Sequence, residues 1–217
     1  MKTDVEIKED VIRELRWDPE VPQAEAIGVA LEDGVATLTG HASTYGEKLA
    51  AEKAAARVYG VKAVANRMEV RLAGARKDDT DIARAISHVI EWNTNIPADQ
   101  VKARVDEGWV TLDGAVDYGF QRKEVERMVR HVTGVVGIAD NIRVRPPVSE
   151  AQVEAKIADA MRRNAELDAR SIKVEFSDDT ARLYGHVHSL HEELAARVAA
   201  AASPGVARVE SHLQVVP

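Results

Sequence analysis

One short pattern occurs three times in this sequence, and that repetition constrains the fold more than any other feature. Each copy has two turn residues, a run of alternating apolar residues and a closing glycine, at residues 33–40, 107–114 and 178–185. The copies are offset by 74 and then 71 residues, and a second glycine follows each closing glycine after 20 residues. A pattern that recurs at such a period is typical of tandem modules. We therefore predict three domains, at residues 1–73, 78–146 and 148–217.

The residues around the first copy predict the elements of one module. Apolar residues recur at helical spacing over about residues 4–16, and an alanine-rich stretch with the same spacing ends at Gly60. Between them, Asp33 and Gly34 predict a two-residue hairpin turn, because such a turn needs positive φ. Residues 64–72 predict a third strand. The order is α-β-β-α-β, and the fold class is α+β, with each small three-stranded sheet covered by two helices on one face.

Two details of the modules give sharper expectations. Thr44 with Glu47, and Ser189 with Glu192, have the spacing of a capping box at the start of the second helix. In the third copy the turn pair is Asp178-Asp179, without a glycine. Because aspartate enters the left-handed region less readily than glycine, we expect this turn to be longer or of another type.

The composition excludes several functions. The net charge is −7 and the chain has no cysteine, so we expect no nucleic-acid partner and no disulfide or thiolate chemistry. No apolar run approaches the roughly 20 residues of a membrane-spanning helix, and the first ten residues lack the apolar core of a secretory signal. We expect a cytoplasmic protein without a cofactor, or a periplasmic one if a signal has been removed.

At this spacing the residues resemble the BON domain family, which is named after the osmotically induced protein OsmY and nodulation proteins. The resemblance covers about residues 4–216, although this chain has three copies where OsmY has two, and it lacks a signal peptide. It rests on the threefold α-β-β-α-β order and on glycines that recur in register: Gly34, Gly40, Gly60, Gly108, Gly114, Gly134, Gly185 and Gly205. We interpret these glycines as structural, since they meet backbone requirements in every copy; the alternative is close approach of a ligand.

The resemblance implies binding rather than catalysis. BON domains are associated with phospholipid surfaces, osmotic stress and, in an OsmY-like role, chaperone-like contact with protein clients. We therefore expect a non-enzymatic, stress-related module that binds a phospholipid surface or a protein client. The alternative is a sensor that binds an ion or a small ligand, because one relative senses potassium. The sequence assigns no oligomeric state.

Three groups of residues are candidates for binding. A basic helix face in the middle copy is the candidate for phosphate or lipid headgroups, or else a solvated surface: Arg122, Lys123, Arg127 and Arg130. An aromatic group in the same copy forms either an exposed lip for lipid or a domain contact: Trp109, Tyr118 and Phe120. A histidine cluster has spacing that suits Zn²⁺ or Ni²⁺, although solvated loop histidines explain it equally: His186, His188 and His191.

Overall fold

The structure is a computed structural model that describes residues 2–71, 77–146, 148–164 and 167–216. Its helices are α1 (Asp4–Trp17), α2 (Tyr45–Ala56), α3 (Asp79–Glu91), α4 (Gly119–Val129), α5 (Glu150–Arg163) and α6 (Leu190–Ala201). Its strands are β1 (Ile27–Glu32), β2 (Val35–Ala42), β3 (Ala63–Asn66), β4 (Glu69–Val70), β5 (Val101–Asp106), β6 (Trp109–Val116), β7 (Gly137–Val144), β8 (Ile172–Ser177), β9 (Thr180–Val187) and β10 (Arg208–Val215). Among the helices of these described ranges, none is long and apolar enough to cross a membrane.

Each module has its own sheet, with the second strand of the hairpin at the centre. The orders are β1-β2-β3, β5-β6-β7 and β8-β9-β10. In the first and third sheets the two hairpin strands are antiparallel, whereas the last strand runs parallel to the central one. A parallel partner needs a crossover connection, and the second helix of the module provides it. The predicted α+β fold class with three such modules is confirmed.

The last strand of the first module is interrupted, in contrast to the single strand predicted over residues 64–72. The backbone N–H of Met68 donates to Oδ1 of Asn66 at 3.2 Å, while the Asn66 amide donates to the carbonyl of Lys48 at 3.0 Å. This side chain replaces a ladder bond, so the strand divides into β3 and β4, both paired with β2. Leu72 lies outside the described residues.

The chain divides into two compact units. One contains residues 1–89, 103–111 and 127–139, and the other contains residues 90–102, 112–126 and 140–217. In the first, α1 and α2 pack over β2, and their shared core includes Val11, Leu15, Leu38 and Ala51. In the second, α5 and α6 cover β9 in the same way, around Val153, Ile157, Leu183 and Ala196. Burial of these apolar stripes is the main stabilising term of each module.

The third hairpin turn has the same length as the first, so the expectation of a longer or different turn is wrong. Ser177 pairs directly with Thr180 across the turn. Asp178 and Asp179 both adopt positive φ, at 48° and 62°, close to the 51° and 81° of Asp33 and Gly34. Aspartate tolerates this region because its short polar side chain bonds locally. Here Oδ1 of Asp179 accepts the hydroxyl of Thr180 at 3.4 Å.

A backbone hydrogen bond explains the constant distance between the two glycines of each copy. In every module the carbonyl of the second turn residue accepts the N–H that lies two positions after the helix-ending glycine. The pairs are Gly34 with Lys62 at 2.8 Å, Gly108 with Val136 at 3.0 Å and Asp179 with Ala207 at 2.8 Å. The end of the second helix is thereby fixed to the hairpin turn, and the sequence interval between them cannot vary freely.

The closing glycines lie where a side chain has no room. A Cβ atom at Gly40, Gly114 or Gly185 would lie 2.1, 2.0 or 1.9 Å from a carbonyl oxygen just before the first strand of the same module. All three also have positive φ. These contacts involve backbone on both sides, so the position serves the close approach of two chain segments.

Candidate functional site

The four predicted cations of the middle module have different surroundings. Arg122 is already paired, because its Nε donates to Oδ2 of Asp140 at 2.8 Å. Lys123 and Arg127 are exposed on α4. Arg130 follows the helix, and its Nε donates to Nε2 of His131 at 3.2 Å. The role of these four residues in headgroup binding stays a prediction, with Lys123 and Arg127 the members whose charge faces solvent.

A second basic surface lies on the open face of β7. It is a shallow depression of about 650 Å³, lined by Asp113, Gly114, Ala115, Asn141, Arg143 and Arg145. Side chains two apart on a strand point to the same side, which brings Arg143 and Arg145 together on the face opposite the helices. Both are exposed. Within the part of the chain that the structure describes, neither guanidinium has a hydrogen-bond or ion-pair partner.

The one carboxylate of this depression is engaged. The amide of Asn141 donates to Oδ1 of Asp113 at 3.1 Å, so it holds the carboxylate on the floor of the depression. The arginines therefore keep their donors for an external anion, and the lining carries a net charge of +1, from two arginines and one aspartate. The sequence analysis missed this surface. The signal that would have found it is the alternation Asn141-x-Arg143-x-Arg145 along a predicted strand.

The predicted aromatic group is divided between the two ends of β6. The ring of Trp109 lies over Gly137, where a Cβ atom would be 2.3 Å from the ring, yet the residue remains 59% exposed. Tyr118 and Phe120 follow the other end of the strand, and their ring centroids are 5.5 Å apart. Trp109 thus packs on the neighbouring strand of its own sheet, while Phe120 stays exposed.

The histidines of the third module are separated by their elements. His186 lies on β9 opposite Gln214, and His188 follows that strand and donates its backbone N–H to Glu192 at 2.6 Å. His191 lies in α6. In the ranges that the structure describes, no group of three or more His, Asp or Glu side chains is placed to hold a metal ion.

The geometry defines a class of protein: a tandem array of small α+β modules, each with a mixed sheet that carries helices on one face. The BON domain model matches residues 3–71, 78–146 and 149–217, so the chain belongs to the BON domain family. BON domains are generally binding modules rather than enzymes, and they are associated with phospholipid binding.

Solved structures add little to this assignment. The chain is similar to CdsD, a structural protein of the type III secretion system of Chlamydia trachomatis, at 14% identity and a TM-score of 0.28, covering 98% of this chain and 93% of that one. A structure of the C-terminal domain of CdsD matches at 14% identity and a TM-score of 0.27, with both chains covered completely. At these scores the likeness carries no argument about function. The comparison with curated proteins gives no match.

Proposed function

We propose that this protein is a non-enzymatic binding module whose middle copy contacts phosphate groups on an anionic phospholipid surface. The observation that carries the proposal is the pair of exposed, unpartnered guanidinium groups at Arg143 and Arg145. The association of BON domains with phospholipid binding supports the same ligand class. A cytoplasmic protein would meet such lipids at the inner leaflet of the cell membrane.

The two arginines suit this ligand for a geometric reason. A guanidinium group presents parallel N–H donors that match two oxygens of one phosphate. Residues two apart on a strand are separated by about 7 Å, so Arg143 and Arg145 would engage different headgroups of one surface or two oxygens of one larger headgroup. Ala115 and Gly114 leave the floor of the depression low.

The charge of the whole chain determines the strength of the contact. A protein of net charge −7 is repelled by an anionic surface at long range. Attraction comes only from local cations, each worth about 1 kcal/mol near the surface and screened by salt. The binding should therefore be weak and sensitive to ionic strength.

Vesicle co-sedimentation tests the proposal. We expect the protein to sediment with phosphatidylglycerol-containing vesicles at low salt, to stay in solution with pure phosphatidylcholine, and to dissociate as salt is added. Arg143→Ala with Arg145→Ala should abolish sedimentation. The matched control is Lys53→Ala with Arg67→Ala, which removes the same charge from exposed positions of the first module.

The predicted α4 site is separated by a second double variant. Lys123→Ala with Arg127→Ala should retain binding if the sheet face carries the contact, and a selective loss in this variant would return the site to α4. Absence of binding to anionic vesicles at low salt contradicts the proposal. Stabilisation by inorganic phosphate without vesicle binding would also contradict it, because it would indicate a soluble phosphate ligand.

A further inference from the structure

Within the first unit, the start of α2 contacts the end of the corresponding helix of the middle module. The backbone N–H of Gly46 donates to the carbonyl of Arg130 at 3.0 Å. Gly46 is buried, and a Cβ atom there would lie 2.7 Å from the ring of His131. This contact joins two modules through backbone atoms.

Within the second unit, the start of α4 contacts the loop after α6 in a related way. The backbone N–H of Gly205 donates to the carbonyl of Asp117 at 2.7 Å. Gly119 is buried, and a Cβ atom there would lie 2.5 Å from the carbonyl oxygen of Val206. In both contacts the start of the second helix of one module meets the end of the second helix, or the loop after it, in the following module.

A contact of this kind is heterologous, because two different surfaces of the module meet. Heterologous contacts do not satisfy themselves: a series of them leaves one unused surface at each end. In this chain the unused surfaces are the start of α6, which no following module covers, and the end of α2, which no preceding module covers.

The start of α6 is apolar and open. Leu190 is 73% exposed and Leu194, one turn later, is 57% exposed. Aligned on Glu47, Gln121 and Glu192, the position of Leu190 corresponds to buried Gly119, and that of Leu194 corresponds to half-buried Leu49. The helix start is thus covered where a following module exists and uncovered in the last module.

The end of α2 shows the complementary difference. Val61, directly after the helix-ending glycine, is only half-buried, whereas its counterparts Val135 and Val206 are 1% and 2% exposed. Beside it, Tyr59 is 82% exposed and Trp17 is 83% exposed. These two rings line a depression of about 590 Å³ together with Arg57 and Val58.

We propose that the start of α6 docks onto the end of α2 of a second copy of this chain, so that chains associate head to tail. The occupant is a second copy because the surface on each end matches the surface used by the internal contacts. Terminal repeats that stop an array carry polar outer faces. Here both ends are apolar, with Leu190 and Leu194 on one and Trp17 and Tyr59 on the other. The bulk of Leu190 makes this a side-chain contact rather than the backbone contact that Gly46 and Gly119 permit.

Sedimentation velocity on two one-sided variants tests the proposal. Leu190→Glu with Leu194→Glu blocks one end, and Trp17→Glu with Tyr59→Glu blocks the other. We expect the mean mass of the unmodified chain to rise with concentration above the 23.7 kDa of one chain, whereas each variant alone should stay at that mass. An equimolar mixture should form dimers and nothing larger, since each variant retains one working end.

The mixture also shows that both variants are folded, because only folded partners restore the dimer. Trp92→Glu is the matched control, since Trp92 is 85% exposed at the end of α3 and belongs to neither end surface; it should associate like the unmodified chain. A single-chain mass at all concentrations, self-association of either blocked variant, or a mixture that stays monomeric would each overturn the proposal.

Discussion

The carboxylate of Glu192 accepts the backbone N–H of His188 at 2.6 Å and that of Asp168 at 3.0 Å. Through one buried side chain, the start of α6 is fixed to the loop before β8. Glu47 acts in the same way in the first module, accepting from Ser43 at 2.7 Å and from Gln23 at 3.2 Å. The capping-box spacing thus has a partly different use: Thr44 accepts the N–H of Glu47, but the carboxylate bonds beyond the cap residue.

The same position in the middle module is an amide, which also donates. Oε1 of Gln121 accepts the N–H groups of Asp117 and Tyr118 at 3.1 and 3.0 Å. Its Nε2 donates to the carbonyl of Asn95 at 2.7 Å. The loop before the first strand therefore offers a carbonyl in this module and N–H groups in the other two, and the side chain differs accordingly.

Exchanging the two side chain types should destabilise both modules. Glu192→Gln places an NH₂ group against a backbone N–H, and Gln121→Glu places a carboxylate against the carbonyl of Asn95. A buried hydrogen-bonding group left without its partner costs about 1–3 kcal/mol. Denaturant unfolding should show losses of this size for both variants. Glu150→Gln, at an exposed position of α5, is the control and should change stability by less than about 0.5 kcal/mol.

Acid should remove the contribution of Glu192. The hydrogen bonds from His188, and then from Asp168, hold the pKa of Glu192 below its ordinary value. A carboxyl group with a lowered folded pKa stabilises the fold fully above its unfolded pKa of about 4.3, and this stabilisation is lost as the pH falls through the folded pKa. The difference in melting temperature between the native chain and Glu192→Gln should therefore shrink as the pH falls below about 4.3. A difference that is constant with pH would contradict this assignment.

The sequence predicted what depends on local backbone requirements. The turn pairs, the helix-ending glycines and the module order follow from φ preferences and apolar spacing, and the structure has them. The third turn departs because the carbonyl of Asp179 is held by the N–H of Ala207, 28 residues later, and this contact stabilises a conformation that aspartate alone disfavours. The candidate site was harder for the same reason. Asp140 pairs with Arg122 across 18 residues, and helical spacing does not reveal that partner.

Replacing a closing glycine should be strongly destabilising. Gly185 has φ of +125°, and a Cβ atom would lie 1.9 Å from the carbonyl oxygen of Ser171. Both atoms belong to backbone, so Gly185→Ala should cost about 3 kcal/mol in the free energy of unfolding. The control is Gly28→Ala, where the new atom meets only the rotatable hydroxyl of Thr39; its effect should stay below about 1 kcal/mol. Equal effects of the two substitutions would refute the steric explanation.

The contact between Gly46 and His131 should weaken in mild acid. Burial, followed by the positive charge of Arg130, lowers the pKa of His131, with Arg127 acting in the same direction and Glu20 opposing it. The folded chain therefore disfavours the charged imidazole, whereas the unfolded chain protonates at its ordinary pKa of about 6.5. Stability from this site is present above that pH and falls as the pH decreases below it, because the unfolded state then binds more protons. Between pH 7.5 and 5.5, about one unit on either side of that pKa, the melting temperature of the native chain should fall more than that of His131→Gln. His88→Gln, at an exposed position of α3, should leave the difference unchanged, and an identical pH response of all three proteins would show that His131 does not control this contact.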